Sequence, residues 1–432
     1  MYKLKTFDNG LRVLVDEDKN VQTVSVSFLL LAGGKDEDES NRGIAHLAEH
    51  MFFKGTKKRT GRDIVFEFDR SGIRNNAYTS QDNTCFYADA LNSDCEKVFD
   101  ILSDCFFHST YPEDALKTEK QAVMSELEMY IDDSKDYSVA KASELSLVGT
   151  PYMFTLGGTV DSVSKITQAD LISFRDKFYT SDRLIISVSG NVTQKEVLAL
   201  VDKYVLPNCK NEKKKPASYC VPNYEINLAK RSSFVPRETD QYYCCIGFKP
   251  FSECDKDKLK FRAMLLCLGG PMSSRLFQKV RDERGLVYVV HSFYERENFS
   301  LNGVIFYTNT TKSKETIEVV AKTLHELRTS GFTEEELQIA KNTLKTNYAL
   351  STLTPHDKAS RGALTLAYEN KIFNLGEALA EVDKISLADI NKMFNDYYQK
   401  DNMVVSVVSD KERFSALDLL NSDYSEEKQK TC

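Results

Sequence analysis

Apolar residues come in short β-branched or alternating runs over Thr23–Leu31, Thr84–Leu91, Tyr242–Phe248 and Leu301–Thr308, the length and period of strands. Over Ala115–Met129 and Glu315–Thr329 they recur every three or four positions instead, which predicts amphipathic helices. The chain opens on a hairpin pattern turned by Asn9-Gly10. Few strands are separated by a single crossover helix. The pattern therefore predicts an α+β protein with largely antiparallel sheets packed with helices.

The 432 residues suit two domains of roughly 200 residues each. The clearest break is Leu206–Pro222, with three prolines, a lysine run and no apolar period. The two sides of it echo one another. Lys165-Ile-Thr-Gln-Ala-Asp-Leu and Lys384-Ile-Ser-Leu-Ala-Asp-Ile each lead through a tyrosine-containing helix end to a strand, Arg183–Gly190 and Asn402–Ser409. The offset is 219 residues for both helix and strand, and Pro112–Lys117 echoes Thr333–Gln338 at nearly the same offset. An internal duplication follows. The expected organisation is a first domain over 1–206, a linker over 207–222, a homologous second domain over 223–420 and a polar tail over 421–432.

Composition narrows the function. A net charge of −7, with only short basic runs at Lys57–Arg59 and Lys213–Lys215, argues against nucleic acid as a ligand. No apolar stretch is long enough to span a membrane. Ten scattered cysteines, none in a C-x-x-C pair, and no secretion signal fit reduced thiols in the cytoplasm.

The chemistry concentrates at His46-Leu47-Ala48-Glu49-His50. Residues 41–54 read as a helix capped by Ser40 or Asn41 and closed near Gly55. On it His46 and His50, four apart, share a face and can share one ion. Two of the chain's six histidines thus flank a glutamate on an otherwise apolar helix. Two imidazoles beside a carboxylate are the pattern of catalytic zinc, which needs one more protein ligand and an open position. Glu119 and Glu126, two turns apart on one predicted helix, are both candidates for that ligand.

The motif, together with Asn9–Val13, Gly43–Thr56, Asn76–Ser80, Ser274–Arg281 and Leu286–Tyr288, resembles the M16 family of inverzincin peptidases, which includes insulin-degrading enzyme and mitochondrial processing peptidase. The resemblance covers nearly the whole chain and is closest to the short M16B-type members. It implies tandem homologous halves of the LuxS/MPP-like metallohydrolase fold, the first bearing zinc and the second metal-free. It implies one Zn2+ per chain held by His46, His50 and Glu126, with Glu49 as the catalytic base and Glu119 behind a ligand histidine. Asn76, Ala77 and Tyr78 match an edge strand that takes up peptide substrate, and Arg281 and Tyr288 match a substrate-contacting pair. Asn347 stands where a second Glu126 would be. The activity implied is zinc-dependent endopeptidase action on short unfolded peptides inside a homodimeric chamber. The alternatives are a dedicated processing peptidase and a catalytically dead assembly subunit.

Overall fold

A computed structural model describes residues 2–422. Six strands form the first sheet: β1 (Tyr2–Thr6), β2 (Arg12–Glu17), β3 (Thr23–Leu30), β4 (Arg74–Thr79), β5 (Thr84–Leu91) and β6 (Leu184–Gly190). Their spatial order is β1-β2-β6-β3-β5-β4, and only β2 and β6 run parallel. Five strands form the second: β7 (Ser232–Pro236), β8 (Gln241–Gly247), β9 (Val289–Tyr294), β10 (Asn302–Asn309) and β11 (Val404–Ser409). Their order is β7-β11-β8-β10-β9, again with one parallel pair, β7 and β11. The fold is α+β with largely antiparallel sheets in two halves.

The sequence echo is a structural echo. β6 and β11 hold the same place in their sheets, each parallel to one neighbour and antiparallel to the other. The helices before them, Gln168–Phe178 and Leu387–Tyr397, start in the same way. Thr167 and Ser386 each accept the N–H of an aspartate three residues on, whose carboxylate accepts the cap's own N–H in return.

The compact units depart from the contiguous boundaries expected. Among the described residues the first unit gathers 2–128, Phe154–Cys220 and Tyr348–Leu375; the second gathers Met129–Met153, Val221–Asn347 and 376–422. Each half thus gives a helix to the other half's sheet. The reason lies in the sheet faces. On β3, Val24, Val26, Phe28 and Leu30 enter the main core, while Leu29 and the residue after the strand, Leu31, enter a second cluster on the opposite face with Cys85 and Ile185. That face is closed by the helix Pro355–Glu369, through Ala363, Leu366 and Ala367. In the second unit the helix Ser134–Ser146 does the same, setting Ala142 against Cys245 and Leu301. Both helices pack through small residues, which allow close approach to a sheet.

The expected linker also divides. Residues 210–231 form neither helix nor strand, but the stretch as far as Cys220 belongs to the first unit. It is tied there by Lys214 N–H to Asp8 O (2.9 Å), Ala217 N–H to Asp182 O (2.8 Å) and Tyr219 Oη to Asp82 O (2.5 Å). The expected tail lies, from residue 423 on, outside the described residues. No helix of the described residues is long and apolar enough to cross a membrane.

Candidate metal and catalytic site

The motif helix is shorter than expected, Ile44–His50, and neither Ser40 nor Asn41 caps it. Gly43 precedes it with φ +89°, a left-handed conformation suited to glycine, and a Cβ there would lie 2.3 Å from Gly157 O. Asn41 Oδ1 instead accepts the N–H of Asp38. The free N–H groups at the helix start are taken by an upstream side chain: Glu37 accepts from Gly43 and Ala45, both at 2.8 Å. Burial pushes the Glu37 carboxyl up to about 7, against the pull of those two bonds. At the other end Phe52 stacks on Phe86 of β5 with centroids 3.6 Å apart, which pins the motif to the sheet.

This frame places the His46 and His50 rings 4.7 Å apart, centroid to centroid. The helix Glu113–Asp132 lies alongside, and its two glutamates take different places. Glu126 Oε2 lies 3.8 Å from His46 Nε2 and 3.6 Å from His50 Nε2. One ligand atom from each of the three residues falls within 4.8 Å of the others, the only such group among the described residues. Donors about 2.0–2.1 Å from a tetrahedral zinc would stand roughly 3.3 Å apart, so the set fits one ion with a small contraction.

Glu119 lies on the other side of the His50 ring. Its Oε2 is 3.2 Å from His50 Nδ1, and its Oε1 is 2.6 Å from Lys54 Nζ. A carboxylate on Nδ1 favours the tautomer that leaves Nε2 free to bind metal. Burial lowers the pKa of His46, and the neighbouring His50 lowers it further, which favours the neutral imidazole that a metal requires. Its Nδ1 is buried against Gly157 with no hydrogen-bond partner.

Glu49, on the same helix, is half-buried and binds neither imidazole; its Oε2 accepts from Thr79 Oγ1 at 2.8 Å. Burial raises its pKa, while the Thr79 bond opposes the rise. A carboxylate whose pKa is raised by burial suits proton transfer. Thr79 ends β4, the edge strand. Along it Asn76 and Tyr78 are exposed while Ala77 and Thr79 are half-buried, and the Ala77 N–H donates to Asn76 Oδ1 at 2.9 Å. Arg281 and Tyr288 belong to the second unit, where the Arg281 guanidinium lies 5.0 Å from the Tyr288 ring centroid and Tyr288 is 77% exposed. Sequence reasoning missed Glu37, Lys54 and the Thr79 bond. Spacing along the helix could have found Lys54, four residues after His50, but no local signal marks Glu37 or the Thr79 bond.

The family model for insulinase (peptidase family M16) matches residues 12–146, and that for the peptidase M16 inactive domain matches residues 165–344. A Bacillus subtilis protein described as an uncharacterized zinc protease is 30% identical over 93% of this chain and 97% of its own length. The chain belongs to the M16 peptidase family. A Mycobacterium leprae protein described as an uncharacterized zinc protease is 29% identical over 91% of this chain and 89% of its own. The solved structure of a Pseudomonas fluorescens protein, titled as a peptidase M16 inactive domain, superposes with TM-score 0.85 at 18% identity, covering 95% of this chain and 98% of that one. A Helicobacter pylori protease gives 0.82 at 21%, covering 94% and 99%. At these identities the two structures show the M16 fold alone.

Proposed function

We propose that this chain is a zinc-dependent endopeptidase, with one Zn2+ per chain, that hydrolyses short unfolded peptides. The observation that carries the reading is the triangle of His46, His50 and Glu126 with the half-buried Glu49 beside it. Bound zinc supplies Lewis acidity, which polarises a carbonyl and acidifies a water molecule. Glu49 takes the proton of the attacking water at its carboxylate and passes it to the leaving amine. Glu119 holds the imidazole of His50 in the orientation and tautomer that binding requires. An extended peptide adds to the outer edge of β4 at Asn76, Ala77 and Tyr78, its main chain held by strand hydrogen bonds. Recognition through the main chain makes the enzyme tolerant of side chains. With a panel of unrelated quenched peptides, cleavage of most is the expected result. Cleavage of a single one would replace this reading with a dedicated processing peptidase.

The same proposal includes a homodimer in which Arg281 and Tyr288 of one protomer serve the zinc site of its partner. The exposure of Tyr288 and the stacking of Arg281 on it support this, because both donors are available to a carbonyl oxygen. Mixed dimers of Glu49→Gln and Tyr288→Phe chains are expected to recover part of the activity that each lacks alone. No recovery, in dimers shown to exchange subunits, contradicts the shared site.

A further inference from the structure

We propose that Thr79 is a positioning residue for the base: its hydroxyl fixes the Glu49 carboxylate on the same rigid element that receives the peptide. This rests on the peptidase reading above. Glutamate has three side-chain torsions, so a half-buried Glu49 needs an external restraint to keep one oxygen aimed at its proton. Thr79 Oγ1 supplies one by donating to Oε2 at 2.8 Å, which leaves Oε1 for the proton.

The donor is itself immobile. Threonine is restricted at χ1, and Thr79 pairs with Thr84 across the hairpin. The turn that follows is held from several sides. Ser80 N–H donates to Asn83 O (2.7 Å), Gly34 N–H to Ser80 O (3.1 Å) and Lys35 N–H to Gln81 O (2.9 Å). Gln81 Nε2 donates to Phe154 O at 2.8 Å. The fully buried Asp82 accepts from Tyr368 Oη at 3.0 Å, a bond made by the helix that the second half contributes. Gly33 lies so close that a Cβ there would stand 2.2 Å from Ser80 O. Thr79 is thus the fixed end of β4, and strand alternation turns it toward Glu49 while Asn76 and Tyr78 stay exposed. Peptide and base are registered to one hairpin, so their mutual geometry does not depend on the torsions of Glu49 alone.

Thr79→Val keeps the shape and removes the hydroxyl, whereas Thr79→Ser keeps the hydroxyl. With a quenched peptide, Thr79→Val is expected to lower kcat by about tenfold or more with KM within about twofold, as for a misaligned base. Thr79→Ser is expected to stay within about threefold of wild type, and both variants to carry as much zinc as wild type. A crystal structure of zinc-free Thr79→Val is expected to show the Glu49 carboxylate moved or in several positions. The proposal is overturned if Thr79→Val keeps kcat within about twofold, if Thr79→Ser is as slow as Thr79→Val, or if Glu49 does not move. Loss of zinc from Thr79→Val also overturns it, because the hydroxyl would then be supporting the ligands and not the base. An inactive wild type with zinc bound would instead remove the peptidase reading, and the role of Thr79 with it.

Discussion

Glu49→Gln is expected to lower kcat for peptide hydrolysis by about 10²–10⁴-fold, the usual contribution of a general base, while zinc content stays at the wild-type level. The amide has the shape of the carboxylate and keeps an oxygen for the Thr79 hydroxyl, so the hairpin contact survives. What it loses is the ability to accept a proton. Because Glu49 is not among the three residues whose atoms converge on the metal position, the metal has no reason to leave. Steady-state kinetics beside metal analysis of the same preparation checks both halves. A variant within about tenfold of wild type would assign the proton transfer to another group.

The second large effect concerns the metal. Glu126 contributes the only carboxylate of the ligand triangle and comes from a different helix than the two histidines. Glu126→Gln is expected to weaken zinc binding well beyond the roughly 10–100-fold typical of losing a residue behind the ligands, and activity is expected to fall with it. Glu119→Gln is the matched control. It sits two turns away on the same helix, faces His50 Nδ1 and not Nε2, and is expected to stay within that 10–100-fold range. Competition titration against a chromophoric chelator measures both affinities. Weaker binding in Glu119→Gln than in Glu126→Gln would reverse the assignment of the two glutamates.

Much of this was legible in the chain because it rests on short-range periodicity. His46, Glu49 and His50 share a helical turn, the Asn9-Gly10 hairpin is set by turn chemistry, and the duplicated helix starts are written in Thr167/Asp170 and Ser386/Asp389. Spacing alone could not choose between Glu119 and Glu126. They lie on one face of one helix, and only the way that helix lies against the His46 turn separates the candidate ligand from the residue facing His50 Nδ1. The helix cap departs from local preference for a similar reason. Local capping preferences favoured Ser40 or Asn41, but Glu37 reaches across a turn to take the same N–H groups. The exchange of helices between halves was invisible. The apolar stripe of Pro355–Glu369 says that it must cover a sheet, but not which one. That exchange matters to the site, since it brings Tyr368 to Asp82 behind Thr79.

The proposal that His46, His50 and Glu126 hold a catalytic zinc is tested most directly by measuring bound zinc and hydrolysis of a quenched peptide together, before chelation, after chelation and after stoichiometric zinc is restored. One zinc per chain is expected, with activity that disappears with the metal and returns with it. Hydrolysis that persists in metal-free protein, or a zinc-loaded protein that cleaves nothing, would contradict it.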